Sequence, residues 1–183
     1  ANALRELGIY GQNFKIAVIM VMFTQAFRYA FEPFIFARNK GAADDRQSFS
    51  DATKFFIIFG LLIFLVTTGY IDIIKKLIPE NYHAGLKVVP IVLLGELFFG
   101  VYFNLSLWYK LTDQTRWGAY MSIFGFVITI AINILFIPRF GYMACAWASF
   151  IANLAMMLVS YFLGQKNYPI PYNLRSAGLF FLF

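Results

Sequence analysis

The sequence predicts an all-α fold, a polytopic transmembrane helical bundle with about five complete spans and the start of a sixth. Of its 183 residues, 61% are hydrophobic, 20% are aromatic and only 13% are charged. Charged residues make up about a quarter of ordinary soluble domains, so this composition excludes a water-soluble domain. The hydrophobic residues also form five runs of about twenty residues, the length that a helix needs to cross a bilayer.

The first predicted span covers residues 14–36 and contains three polar side chains, Gln25, Arg28 and Glu32. At about 100° per residue they lie within about 60° of one another, so they form one stripe on an apolar helix. An arginine near the bilayer centre costs about 2.5–3.5 kcal/mol, and Glu32 lies one turn away as a partner. The stripe is therefore predicted to face protein or water. Pro33 is expected to end this span by kinking its last turn.

The second predicted span, residues 54–74, lies between two polar connections. Residues 37–53 form the most charged connection and are expected to contain a short surface helix capped by Ser50 or Asp51. The span itself is apolar all round, which indicates a scaffold helix. Residues 75–87 are mixed in polarity and are expected to lie in the membrane interface as a bent amphipathic piece.

The third predicted span, residues 88–109, contains Pro90 in its first turn, where proline is tolerated. It also contains Glu96 and Asn104 within its apolar sequence. These two residues are eight positions apart, so they share one face of the helix.

The last predicted spans are residues 117–137, residues 142–163 and the start of a sixth span at residues 177–183. The turn at 138–141 is so short that the fourth and fifth helices must be antiparallel neighbours. The fifth span has a seam of small residues that lets another helix backbone approach closely. The seam consists of Gly141, Cys145, Ala148, Ala152 and Ala155.

The basic residues indicate an orientation in the membrane. Eight Lys and Arg residues lie on the first, third and fifth connections, and six lie on the opposite side. By the positive-inside rule, the first set is expected to be cytoplasmic. The net charge of +6 is spread between apolar runs without a continuous basic stripe, so no nucleic acid is expected as a partner.

A resemblance to a known family rests on residues 133–149, NILFIPRFGYMACAWAS, a proline–glycine turn followed by an alanine-rich helix. It resembles the signature of polysaccharide biosynthesis proteins, the oligosaccharide (O-antigen-type) flippases of the multidrug/oligosaccharidyl-lipid/polysaccharide exporter superfamily. Residues 7–10, 82–91 and 109–112 are similar to the C-terminal lobe of that family in order and spacing. Ala144 stands where many members have glycine.

The resemblance implies a protein of about fourteen spans in two lobes, located in the cytoplasmic (inner) membrane. Residues 1–183 would then be a partial C-terminal lobe that holds the eighth to twelfth spans and the start of the thirteenth. The implied substrate is a polyprenyl-diphosphate-linked oligosaccharide for surface polysaccharide or lipopolysaccharide assembly. Membrane lipids and the polysaccharide assembly machinery are the other expected partners.

Five residues are candidates for lining a substrate cavity: Lys15, Gln25, Arg28, Glu32 and Asn104. Arg28 and Lys15 would meet the anionic diphosphate or acidic sugars, while Gln25 and Asn104 would contact the glycan. A structural interpretation is open for each, since Arg28 and Glu32 could instead lock the helix to a neighbour. Lys15 could extend to lipid headgroups, and Asn104 could form a hydrogen bond that holds two helices together.

Glu32 and Glu96 are candidates for ion coupling, although Glu96 could instead simply be hydrogen-bonded to a neighbouring helix. The sequence contains no motif for a nucleotide, redox cofactor or metal, and its one cysteine, Cys145, lies within an apolar run. No cofactor and no metal site are therefore expected.

Three function hypotheses are open. The leading one is a flippase, and the second is a cation-coupled multidrug antiporter of the same superfamily. The third is a membrane enzyme of glycan assembly, such as a polymerase or ligase, which would need a long water-side loop with catalytic groups. The connections here are short, so a transporter is favoured over an enzyme.

Overall fold

The computed structural model describes residues 2–39, 46–76 and 78–167, and this part of the chain is almost entirely helical with no strand. Five of its helical stretches are long and apolar enough to cross a membrane, which confirms the predicted all-α polytopic bundle. The predicted start of a sixth span at residues 177–183 lies outside the described residues. In chain order the helices are α1 (Asn2–Asn39), α2 (Arg46–Gly69), α3 (Ile71–Lys75), a 3-10 helix (Glu80–Lys87), α4 (Val88–Leu105), α5 (Leu107–Leu111), α6 (Arg116–Phe140) and α7 (Tyr142–Asn167).

Helix α4 lies at the centre of the bundle and packs against α1, α2 and α7. In the stretch Glu80–Leu111, 61% of the most apolar window is buried, compared with 11–33% in the other four candidate spans. Val88, Leu93 and Leu97 are fully buried on this helix. Its apolar sequence suits this position because a helix that is hydrophobic on all sides is stable only when it is surrounded by other apolar groups.

Glycine allows α7 to approach α4 closely. A Cβ atom at Gly95 would lie 3.2 Å from the Cα of Phe150, and the side-chain amide of Asn153 donates a hydrogen bond to the Gly95 carbonyl at 3.1 Å. Ala148 and Ala152 of the predicted small-residue seam are buried inside the bundle. The seam is thus partly confirmed, and the glycine on the opposing helix completes it.

The predicted end of the first span at Pro33 is wrong, because α1 continues to Asn39. Proline removes one backbone donor from a helix but leaves the other hydrogen bonds of that turn in place. Beyond it, Ile35 is only 1% exposed and belongs to a cluster with Phe49 and Leu107. These apolar contacts stabilise the last turns of α1 against α2 and α5.

The separate surface helix predicted within residues 37–53 is also absent from the described residues. Helix α2 begins at Arg46 and continues without a break to Gly69, so the second span starts earlier and ends earlier than predicted. Its polar first turns still have a buried face, since Phe49 and Thr53 are each 4% exposed. The charges of this segment predict a surface helix, whereas the spacing of Phe49 and Thr53 places both on the buried face of one continuous helix.

The amphipathic segment after α3 is held against α1. The Asn13 side-chain amide donates to the Ile9 carbonyl at 2.8 Å on its own helix and to the Tyr82 carbonyl at 2.9 Å on the 3-10 helix. His83 Nε2 lies 2.9 Å from the Ile78 carbonyl oxygen. The segment is therefore a 3-10 helix packed on the bundle, with buried Gly85 against α1.

The turn between α6 and α7 matches the prediction that these helices are neighbours, since α6 packs mainly against α7. Gly141 at this turn has φ +56° and ψ −141°, a conformation that residues with a Cβ rarely adopt. The carboxylate of Glu6 lies against it, so the start of α1 reaches the start of α7.

Substitution of Gly95 tests the close approach of α4 and α7. Alanine normally stabilises a helix interior by about 1 kcal/mol relative to glycine. Because the new methyl group would press on the Phe150 backbone, we expect Gly95→Ala instead to destabilise the protein by about 1–3 kcal/mol. The measurement is the thermal unfolding midpoint in detergent, with Gly11→Ala as the control because nothing lies within 4 Å of a Cβ there. An equal or higher midpoint for Gly95→Ala than for Gly11→Ala would contradict this packing.

Candidate functional site

A cluster of three charged side chains joins α1 to α5. Arg28 Nε lies 3.1 Å from Glu32 Oε1, and Lys110 Nζ lies 2.7 Å from the same oxygen. The three side chains are between 25% and 32% exposed, so each is mostly surrounded by protein. Two cations share one carboxylate, and the cluster therefore has a net charge of +1. We call Arg28, Glu32 and Lys110 the charged cluster.

Helix geometry and apolar packing bring the charged cluster together. Arg28 and Glu32 are four residues apart on α1, the spacing that places two side chains on one face. Lys110 comes from α5, where Leu107 is 1% exposed and packs in one cluster with Phe31 of α1. Anchoring Leu107 against α1 positions Lys110, one turn further along α5, within reach of Glu32.

Arg28 makes a second contact, with α4. Its guanidinium carbon lies 4.7 Å from the ring centroid of Phe103, a distance typical of a cation–π interaction. The arginine is thus paired and faces protein, as the stripe on α1 predicts. Such a pairing is compatible with a structural lock and with a residue that lines a substrate path.

Lys110 was missed as a candidate site residue. In the sequence it falls in the loop after the third predicted span, within residues 109–112 that resemble the family. Its pairing with Glu32 spans 78 positions in sequence, and no local pattern reveals such a contact. The sequence did contain one signal. Arg28 and Lys110 lie near the ends of two spans that run in the same direction, and two such positive charges need a shared counter-ion.

The other polar candidates on α1 and α4 do not join the charged cluster through hydrogen bonds. Gln25 is half-buried, and its side chain makes no hydrogen bond to another described residue. Asn104 is 6% exposed, and among the described residues nothing accepts a hydrogen bond from its Nδ2. The hydroxyls of Thr24 and Thr53 are likewise buried without a hydrogen-bond partner in the described part of the chain.

Lys15 and Glu96 lie apart from the charged cluster. Lys15 is exposed and donates to the Gln12 side chain at 3.0 Å, about 20 Å from Arg28 along the helix axis. Glu96 is half-buried on α4, about 10 Å along that helix from Phe103. Lys15 and Glu96 are therefore both remote from Glu32 and Lys110.

The candidate metal ligands of the described residues are dispersed. Within 2–39, 46–76 and 78–167, no three His, Cys, Asp or Glu side chains are grouped so that they could hold a metal ion.

Neutralising Glu32 tests whether the charged cluster stabilises the bundle. Glu32→Gln leaves Arg28 and Lys110 close together without their shared counter-ion, and hydrogen bonds to charged groups are each worth about 1.5–3 kcal/mol. We expect a lower thermal unfolding midpoint for Glu32→Gln than for the wild type. Glu80→Gln is the control, because Glu80 is exposed on the 3-10 helix. Equal midpoints for the two variants would mean that the cluster contributes nothing to stability.

Comparison with known proteins places this geometry in a family. The family model MatE matches residues 4–135, which cover α1 to α5 and most of α6. No curated protein and no solved structure matches the chain. Members of this family are transporters rather than enzymes. With its five candidate spans and this match over most of its length, the chain is a multi-pass membrane protein that belongs to the MatE family of transmembrane exporters.

Proposed function

We propose that this exporter moves an anionic lipid-linked oligosaccharide, a polyprenyl-diphosphate-linked glycan, across the cytoplasmic (inner) membrane for surface polysaccharide assembly. The observation that supports this substrate is the net positive charge of the charged cluster within a membrane-spanning bundle. A diphosphate crosses hydrocarbon only if the protein replaces the lost hydration with fixed positive charge.

The hydrogen-bonding capacity of Arg28 also suits a phosphate. Glu32 binds it through Nε, and no described residue accepts a hydrogen bond from its two Nη groups. These groups form the planar fork that binds phosphate oxygens in pairs. Glu32 holds the fork in place and leaves it available, while Lys110 supplies a second positive charge at the same position.

The sugar would be bound by neutral polar groups near the charged cluster. Gln25 lies on the same stripe of α1, and Asn104 has an unused donor. Asn104 is one turn beyond Gly100, which faces Thr24 and Phe56, so its amide would reach a glycan only when α1, α2 and α4 separate. Alternating access would have to include such a movement inside this bundle, because rocking of one whole lobe against another leaves the helix contacts within each lobe unchanged.

A second candidate function is a cation-coupled multidrug antiporter, and Glu96 favours it. Among the described residues, no Lys, Arg or His pairs with this half-buried carboxyl group, so it could bind a proton or a cation during transport. In a flippase, the same residue or Glu32 would couple translocation to an ion gradient.

Substitution of Arg28 tests the flippase proposal. Translocation of lipid-linked glycan is measured in cells that lack their own flippase, at matched membrane levels of each variant. We expect Arg28→Ala to lose about 90% or more of the export, as for loss of a charged contact, and Arg28→Lys to keep part of it. Lysine retains the charge but has no planar fork.

Arg139→Ala is the matched control. Arg139 is exposed at the far end of α6, so the variant protein should export glycan normally. Normal export by both Arg28 variants would contradict the proposal. Drug efflux by the wild type, abolished by Glu96→Gln, without any glycan export would establish the antiporter instead.

A further inference from the structure

A cavity of about 510 Å³ lies between α4, α5, α6 and α7, and it is open along α6, where Ala119, Ser122 and Phe126 are exposed. Its volume is within the range of about 300–1,000 Å³ that is typical of small-molecule sites. Much of its wall is aromatic, and Gly118 on α6 contributes no side chain to fill the space. The aromatic residues are Phe99, Tyr102, Phe103, Tyr109 and Phe126.

The polar groups of this cavity are mainly hydrogen-bond donors. Lys110 lines it, and only one of its three ammonium hydrogens is needed for the bond to Glu32. The hydroxyls of Tyr102 and Tyr109 lie 3.5 Å apart, and both side chains are more than nine-tenths buried. Two hydroxyls that pair with each other use one hydrogen, so one O–H remains for a ligand. None of the described residues that line the cavity is an Asp or a Glu.

From this lining, we infer that the cavity binds an amphipathic monoanion, an apolar or aromatic body that bears one carboxylate or phosphate. The anionic group would accept hydrogen bonds from Lys110 and from the tyrosine pair. The body would pack against the aromatic walls. An organic cation fits less well, because Lys110 repels it and no lining carboxylate compensates.

The site adjoins the charged cluster without sharing its arginine. Phe103 separates them, since its ring contacts the Arg28 guanidinium and also lines the cavity. Lys110 is common to both, so an anion in the cavity would draw the lysine away from Glu32 and alter the charge around Arg28. This inference holds for either proposed substrate and does not rest on glycan transport.

Equilibrium dialysis of the purified protein in lipid nanodiscs, with empty nanodiscs subtracted, tests the site. The probe is naphthylacetate, compared with naphthylethylammonium, which has the same body and the opposite charge, and with acetate, which has no body. We expect saturable binding of naphthylacetate and little or none of the other two.

Variants then locate the binding. Lys110→Met removes the charge and should weaken naphthylacetate binding by about tenfold or more. Tyr109→Phe should weaken it less, because only a hydroxyl is lost. Ala119→Leu should weaken it by narrowing the open side of the cavity, and Ala131→Leu is its control, an alanine of the same helix that is also exposed but lies outside the lining.

Three results would overturn the inference. They are the absence of saturable naphthylacetate binding, tighter binding of naphthylethylammonium than of naphthylacetate, and equal binding by Ala119→Leu and Ala131→Leu. The comparison of these two alanine positions keeps the test valid if Lys110→Met fails to fold. Glycan export by the wild type is measured separately, so failure here leaves the flippase proposal standing.

Discussion

A single carboxylate oxygen, Glu32 Oε1, accepts hydrogen bonds from two cations that would otherwise be uncompensated in a membrane-spanning bundle. Removing such a counter-ion from a partly buried site is costly, because each remaining charge keeps its share of the desolvation penalty. Glu32 thereby ties the C-terminal half of α1 to the end of α5. The first and third spans must then run in the same direction, with their C-terminal ends on one side of the membrane.

Apolar packing holds this arrangement in position. Phe31 and Ile35 of α1 pack with Phe49 of α2 and Leu107 of α5, directly beside the charges. Helix α4 supports the same elements from the centre of the bundle, and Gly95 lets α7 pack closely on its other side. A site that must bind and release a charged ligand requires this kind of support, since loosely held side chains bind with poor geometry.

The sequence predicted the parts of this structure that follow from periodicity and charge. The five spans, the orientation of Gln25, Arg28 and Glu32 on one stripe, and the α6–α7 neighbours all depend on contacts between residues close in sequence. Lys110 could not be found this way, because its partner is remote. The early start of α2 was missed because buried Phe49 lies among polar residues, and the aromatic cavity depends on how four helices pack.

Water access to the polar stripe of α1 tests the central claim most directly. In a Cys145→Ala background, Gln25→Cys places a thiol on the stripe, and Ala26→Cys places one at the same depth on an exposed, apolar side of the helix. The rate of labelling by a membrane-impermeant maleimide is measured for both in sealed vesicles of each orientation. If the stripe lines a transport path, the cysteine at 25 reacts at least several times faster than the one at 26. Slower labelling at 25 than at 26, or no labelling at 25 from either side, would contradict a water-filled path and leave Arg28 and Glu32 as a structural pair.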